Sequence, residues 1–464
     1  MLAGIKKAAE IIRKHRGDLV EIISHMDADG VCAAAIMSRA LDRENVEHRV
    51  KFVRMLYRDV VEKLDPAPLT IFTDLGSSQL ENLRQSYRSA RVIICDHHPP
   101  QRVDGLEGLV HLNAYEMGMD GLKEISGAGM AFLLARELNR KNSDLSALAV
   151  IGAIGDIQNA WGKLSGSNRE ILNEGMRAKV LDRRIDLQLY GRYTKPLFQS
   201  LESFSDPPIE GVTNSSAGCM ELIRSLGIPV KGENGWRRLA DLSEHERRML
   251  ATELISRALS SVPEEFIPYV PNLIVGECYT ILGEDENSEL RDAGEFATCL
   301  NSTARHEQPL IGLEVAKGDR GAYYRAMLNL LHHHRRAIAR GMEFIETEGL
   351  KVGDGGYLQY FDATGVVKET FVGTLASLSL GSRVADPYKP VVGTVREGGM
   401  AKVSARCSKL LFLRGLDLAA AIKEAAEEVG GEGGGHPIAS GAQVEEERIS
   451  EFLHSLEQNI LRQL

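Results

Sequence analysis

The chain has no CxxC pair: its six cysteines, Cys32, Cys95, Cys219, Cys278, Cys299 and Cys407, are scattered. That pattern argues against a disulfide framework or a structural zinc and suits a reducing cytoplasm. Long hydrophobic runs are also missing. The longest uninterrupted apolar stretch, near Ala147 to Gly155, is far short of a membrane span, so no membrane partner is expected. The N-terminal stretch MLAGIKKAAEIIRKHRGD is a short basic amphipathic helix without the apolar core and cleavage site of a signal peptide, and a cytoplasmic location follows as the expectation. Nor is there an excess of positive charge. A net charge of -10 excludes a generally basic nucleic-acid coat but leaves room for a local basic groove. No internal repeat or low-complexity tract stands out. At 464 residues, 43% hydrophobic and 26% charged, the chain has the size and composition for two or three soluble domains.

What is present is a series of short β-branched runs that end in acids and histidines. Val20 to Ile23 reads as a buried strand and leads into His25-Met26-Asp27-Ala28-Asp29-Gly30, with a helix over Val31 to Leu41 behind it. Glu47 to Val53 gives a second strand, and Leu69 to Thr73 a third, ending in Asp74-Leu75-Gly76. Val92 to Cys95 gives a fourth, ending in Asp96-His97-His98-Pro99-Pro100, and Val110 to Asn113 a fifth. Helices are expected around Gln79 to Tyr87, after Ser126-Gly127-Ala128-Gly129, and over Leu145 to Gly155, which Asp156 caps. Strands alternating with helices predict a parallel, doubly wound α/β sheet, whose ligands gather outside the carboxyl ends of the strands.

Residues 162–192 read as polar and helical. The composition then shifts, with Pro207-Pro208, Pro229 and Pro268 and two expected helices, Glu244 to Ser261 and Asp292 to Thr303. The expected organisation is a catalytic domain over 1–192, an inserted module over 193–320, a connector helix over 321–345 and a smaller α/β domain over 346–464. In that last domain strands are expected at 356–361, 390–395 and 402–405, with a helix over 416–429 and a glycine cluster at 430–435.

Four separate segments deliver His25, Asp27, Asp29, Asp74, Asp96, His97, His98 and Asp156 to one edge of the expected sheet. Oxygen and imidazole donors together suit Mn²⁺ or Mg²⁺, and the supply is enough for a pair of ions sharing a bridging carboxylate. The Ser126-Gly127-Ala128-Gly129 turn reads equally well as a phosphate cradle or a plain helix cap.

HMDADG, TDLG, DHH and AIGD, in this order, resemble the motif set of the DHH phosphoesterase family over about the first 190 residues. The resemblance implies that His25, Asp27 and Asp74 hold one metal. It implies that Asp29, Asp74, His97 and Asp156 hold the second, with Asp74 bridging. It further implies that Asp96 supports His97 from behind and that His98 faces the scissile phosphate. No motif position is substituted, so an active enzyme is expected. Downstream, Ser404 and Arg406 followed by Gly433-Gly434-Gly435-His436 resemble the DHH-associated C-terminal domain. That likeness implies substrate binding by Ser404, Arg406, Gly434, Gly435 and His436, across a groove from the metal-binding domain.

The middle section, through Gly276 to Thr280 and Leu290 to Ala297, resembles the archaeal RecJ-like proteins. That resemblance implies an exonuclease of single-stranded DNA or RNA in replication or repair, sometimes associated with the replicative helicase through the GINS complex. Two rival readings are a phosphodiesterase of very short oligonucleotides or cyclic dinucleotides, and a replisome scaffold. His332-His333-His334-Arg335-Arg336 reads as a solvated helix face. Trp161 and Trp236, which lack aromatic neighbours in sequence, read as core or interface residues rather than a stacking platform.

Overall fold

The β-branched runs of the N-terminal third form a five-stranded, all-parallel sheet, as seen in a computed structural model that describes residues 2–87, 90–103, 108–233 and 235–464. Its strands are β1 (Val20–His25), β2 (His48–Val53), β3 (Leu69–Thr73), β4 (Arg91–Asp96) and β5 (Leu109–Asn113), in spatial order β2-β1-β3-β4-β5. This doubly wound order changes direction between β1 and β3, and ligands bind outside the strand ends at such a switch point. Ile22 of β1, Ile71 of β3 and Ile93 of β4 lie side by side in register. Side chains alternate between two apolar layers. Ile22, Ile71 and Ile93 join a large core with helices α1 (Leu2–Lys14) and α2 (Ala28–Arg43), while Ile23, Phe72 and Ile94 join a smaller core with Leu80, Leu83 and Tyr87. The expected N-terminal helix is observed from Leu2, and its first residue, Met1, lies outside the described residues. One buried charge interrupts β1: Glu21 is fully buried and takes Arg49 Nε at 2.6 Å and Lys51 Nζ at 2.8 Å from β2.

The chain divides into two compact units. The first comprises Met1–Asn159, Lys163–Arg184 and Glu277–Leu331, and the second Ala160–Gly162, Ile185–Gly276 and His332–Leu464. The division differs from the boundaries expected from sequence. Residues 277–320, assigned there to the inserted module, belong to the first unit, together with the start of the connector helix up to Leu331. Phe296, Ala297, Leu300 and Leu313 of that segment bury their apolar faces in the same core as α2. The connector helix is Ala322–Glu348, and the division falls within it, after Leu331. Part of the stretch expected to be helical over 162–192 is instead a strand, Leu181–Leu187, because it pairs with Val275–Ile281. Tertiary pairing outweighs local propensity there.

The second unit carries a six-stranded mixed sheet. Its order is Lys351–Val352, Gln359–Asp362, Val391–Glu397, Met400–Arg406, Ala439–Glu445 and Glu432–His436. The glycine cluster forms the edge strand Glu432–His436, antiparallel to Ala439–Glu445. His334 departs from the solvated histidine–arginine face expected of its helix: it is buried, with its ring 5.3 Å from that of Phe371. Trp161 and Trp236, read from sequence as core or interface residues, are not core: each is 44% exposed, and Trp236 has an aromatic neighbour, Phe198, at 5.2 Å. All six cysteines are free and buried. Among the described residues no helix is long and apolar enough to cross a membrane.

Ile71 lies at the centre of the parallel sheet with no exposed surface. Ile71→Ala should cost about 2–5 kcal/mol of unfolding free energy, seen as a lower urea midpoint when unfolding is followed by circular dichroism.

Candidate metal centre

Each side chain of the centre is placed by the end of a strand or helix. His25 closes β1, and Asp27 caps α2 by accepting the Gly30 N–H on Oδ1 at 3.0 Å. Asp27 Oδ2 is then turned to His25 Nδ1, 3.1 Å away. Asp74 follows β3 with φ at 60°, a conformation costly for a residue with a Cβ and typical of functional positions. Asp156 ends the helix Ser146–Gly155, where the helix dipole disfavours an acid. The next residue, the β-branched Ile157, is also left-handed at φ 59°. Local propensity explains neither choice; the placement of the carboxylate does.

Asp74 joins two clusters. Its Oδ2 lies 3.5 Å from His25 Nδ1 and its Oδ1 lies 3.2 Å from His97 Nε2. Around His97 Nε2 stand Asp156 Oδ2 at 3.2 Å and Asp29 Oδ2 at 3.9 Å. One ligand atom from each of Asp29, Asp74, His97 and Asp156 falls within 4.8 Å of the others, and the same holds for His25, Asp27 and Asp74. Asp29, Asp74 and His97 of the first group are buried and the Asp156 side chain nearly so, whereas His25 and Asp27 are 28% and 33% exposed. The structure therefore brings together all six residues expected from sequence to hold metal.

The donor set fits divalent cations. Asp29 is fully buried, and its carboxyl is held well above the ordinary carboxylate range by that burial and by the charges of Asp74 and Asp156. Burial alone would push the imidazoles of His97 and His25 down, but their carboxylate neighbours hold both well above the usual histidine value. Protons bound by these groups stand in for cations, and hard oxygen and imidazole donors are those Mn²⁺ and Mg²⁺ accept. Two glycines make room for the crowding. A Cβ on Gly152 would lie 2.2 Å from Asp29 Oδ1, and one on Gly127 would lie 2.4 Å from Asp74 Oδ1.

The Ser126 turn is neither simply a cap nor a phosphate cradle. Ser126 Oγ caps its helix by accepting the Gly129 N–H, while the Gly127 and Ala128 N–H groups donate to the Asp29 carboxylate at 2.6 and 3.0 Å. The helix N-terminus is thus spent on a protein carboxylate.

Asp96 also departs from its expected part. From His97 it accepts the backbone N–H, at 2.8 Å, and no bond from the ring, whereas the ring of His98 meets it through Nδ1, also at 2.8 Å. Burial raises the Asp96 carboxyl, but His98 and the surrounding N–H groups overcome it and hold the carboxyl below its usual range. The His97 ring is instead set by Nδ1 donating to the Gly121 carbonyl at 2.6 Å, and Gln158 Nε2 donates to that same carbonyl at 2.9 Å. Gly121 and Gln158 belong to no motif. Neither do Asn301, whose Oδ1 accepts the Ala28 N–H at 3.0 Å, and Arg305, which senses the charge of Asp27. Both come from the helix Ala293–Arg305, too far along the chain for spacing to reveal them.

The remaining predicted residues lie in the second unit. Ser404 faces Gly441 across the strand pair, and Gly441 faces Gly434; Arg406 faces Ala439, which faces His436. Residues opposite one another in antiparallel strands share a face, and alternate residues do as well. Ser404, Arg406, Gly434 and His436 therefore lie on one face, with only glycine and alanine between them, and Gly435 points to the other. Arg406 Nη1 donates to its neighbour's carbonyl, Ala405 O, at 2.7 Å.

Three families match successive parts of the chain. Residues 20–155 match the DHH family N-terminal domain, 189–268 the DHH-CID domain and 374–461 the DHHA1 domain. An uncharacterized protein of Methanocaldococcus jannaschii is 29% identical over 99% of this chain and 97% of its own length. The fold is similar to that of RecJ from Thermus thermophilus in complex with Mn²⁺ (18% identity, TM-score 0.59), covering 99% of this chain but 55% of that one. The same RecJ has been solved with Mg²⁺. CDC45 from Entamoeba histolytica is similar over 99% of both chains, at 13% identity and TM-score 0.66.

Because His25, His97 and Asp29 hold protons more tightly in the folded metal-free site than in the unfolded chain, their stabilising effect is present at low pH. It is lost as pH rises through their raised folded values. Cations compete with those protons. Mn²⁺ affinity should therefore still be rising with pH above about pH 6.5, where an ordinary histidine has already begun to lose its proton, because both histidines are held above that value. Calorimetry in buffers of different ionisation enthalpy should show protons released on binding.

Proposed function

We propose, from the matches to the DHH, DHH-CID and DHHA1 domains, that the chain is a metal-dependent phosphoesterase of the DHH family and acts as a two-metal exonuclease of single-stranded DNA or RNA. The observation that carries the proposal is Asp74, whose two oxygens face separate clusters of hard ligands. A carboxylate so placed would serve both clusters if each held an ion. When bound, such cations stabilise the charge that builds on the phosphoryl oxygens and acidify a water.

The protein's own groups do the rest. His25, Asp27 and Asp74 would hold the first cation, and Asp29, Asp74, His97 and Asp156 the second. The Gly127 and Ala128 amides orient the Asp29 carboxylate, and the Gly121 carbonyl orients His97. Asp96 engages Nδ1 of His98, so it is Nε2 that meets the phosphate, neutralising it or protonating the leaving oxygen. In the second unit, Arg406 forks onto phosphate oxygens. The bare strip between Arg406 and His436 lets a sugar–phosphate chain approach the sheet backbone. The similarity to RecJ with Mn²⁺ or Mg²⁺ supports this reading in preference to a cyclic-dinucleotide phosphodiesterase.

A labelled single strand of about 20 nucleotides, enough to fill an ordinary single-strand site, should be shortened with Mn²⁺ and spared with EDTA. Asp74→Ala should abolish that turnover while leaving the circular dichroism spectrum intact. Cleavage confined to dinucleotides would overturn the exonuclease reading. Arg406→Ala should raise KM and leave kcat nearly unchanged, because it removes binding common to ground and transition states; steady-state kinetics on the same strand checks this.

A further inference from the structure

Asp96, which engages His98 Nδ1, is itself held by a turn from the neighbouring strand. Its Oδ2 accepts the backbone N–H of Ser77 at 2.9 Å, from the turn after β3. The other N–H groups on Asp96, those of His97, His98 and the His98 ring, all come from its own segment. Ser77 is thus the outside hold on Asp96.

Ser77 is fully buried, and its hydroxyl is met from β5. His111 Nε2 lies 2.8 Å from Ser77 Oγ, and Asn113 Nδ2 donates to the same oxygen at 2.9 Å. On the far side of the ring, His111 Nδ1 lies 3.1 Å from Glu116 Oε1. A carboxylate only accepts, so the proton of the neutral imidazole sits on Nδ1, and Nε2 accepts the Ser77 hydroxyl hydrogen. Asn113 then supplies the hydrogen that Ser77 Oγ accepts. Asn113 Nδ2 also donates to the His98 carbonyl, at 2.8 Å. Every donor in the group has an acceptor, which gives the Ser77 turn a single orientation.

We propose that Glu116, His111 and Ser77 form a positioning relay that fixes Asp96, and through it the ring of His98, for the phosphoester cleavage on which this inference rests. The same trio has the order of a nucleophile, a base and an orienting acid. That use is excluded, because Ser77 has no exposed surface and its oxygen is already occupied by Asn113. The relay reaches the centre across β5, β3 and β4, so its outer end, the half-exposed Glu116, lies in a part of the fold with no metal ligand.

The test uses the full chain loaded with Mg²⁺ and labelled with ¹⁵N-histidine, His98→Ala supplying the assignment. The ring nitrogens of His98 should show a single Nδ1–H tautomer in the native protein. His111→Phe keeps a ring of similar size but removes both polar contacts. It should mix the His98 tautomers and lower kcat on the order of tenfold, with KM and Mn²⁺ affinity changed by no more than about twofold. His111→Gln, which keeps a polar end for Ser77, should restore much of the loss. An unchanged His98 nitrogen pattern in His111→Phe would overturn the relay, as would an altered pattern with native kcat. Should the native protein cleave no strand at all, the nitrogen pattern still decides whether the relay sets His98, and the nuclease reading fails separately.

Discussion

Three carboxylates held out of water beside one imidazole are the constraint on which the first unit is built. Asp29, Asp74 and Asp156 stand around His97 Nε2 within a few ångströms. An isolated buried carboxylate is costly, and three together repel one another. The surrounding structure holds them there regardless. Backbone amides grip Asp29, left-handed conformations are accepted at Asp74 and Ile157, and an acid is kept at the C-terminal end of a helix. Each local cost makes sense only as part of a cradle for positive charge. Electrostatics sets the terms here, and packing supplies the rigidity.

The switch-point topology explains why those residues could be found in the sequence. Strand tips in a parallel sheet converge at one edge, so an acid after β1, β3 and β4 is an acid at one place. The strand Leu69–Thr73 and the helix Glu244–Ser261 are legible to the residue, because a short β-branched and apolar run marks the first locally and the Ser243 capping box the second. What stayed hidden depended on distant partners. The Gly121 carbonyl and Gln158 act through backbone or amide groups that no motif singles out, and Asn301 reaches Ala28 from 273 residues away. Asp96 was assigned to the wrong histidine because adjacent residues cannot be told apart until their rings are placed.

In the second unit, the glycine run shows how composition misleads. Glycine is a weak strand former, yet Glu432–His436 is a strand whose glycines face Ala442, Gly441 and Ser440 across the ladder. Gly434 and Gly441 lie beside Ser404, leaving a strip of backbone bounded by Arg406 and His436. Glycine here removes side chains from a surface; it does not loosen the chain. The strip and its cationic edge suit a ligand that is long, thin and negatively charged.

The first unit is discontinuous, and that matters while the protein is being made. Its sheet leaves the ribosome early, but the segment Glu277–Leu331 that completes its core follows only after all of Ile185–Gly276 has been translated. Until then Phe296 and Leu300 are missing from the core and Ala28 lacks Asn301. The nascent sheet must therefore wait, with apolar surface on α2 uncovered, while the intervening segment emerges. Cotranslational folding of this unit has to skip a domain's worth of chain before it can finish.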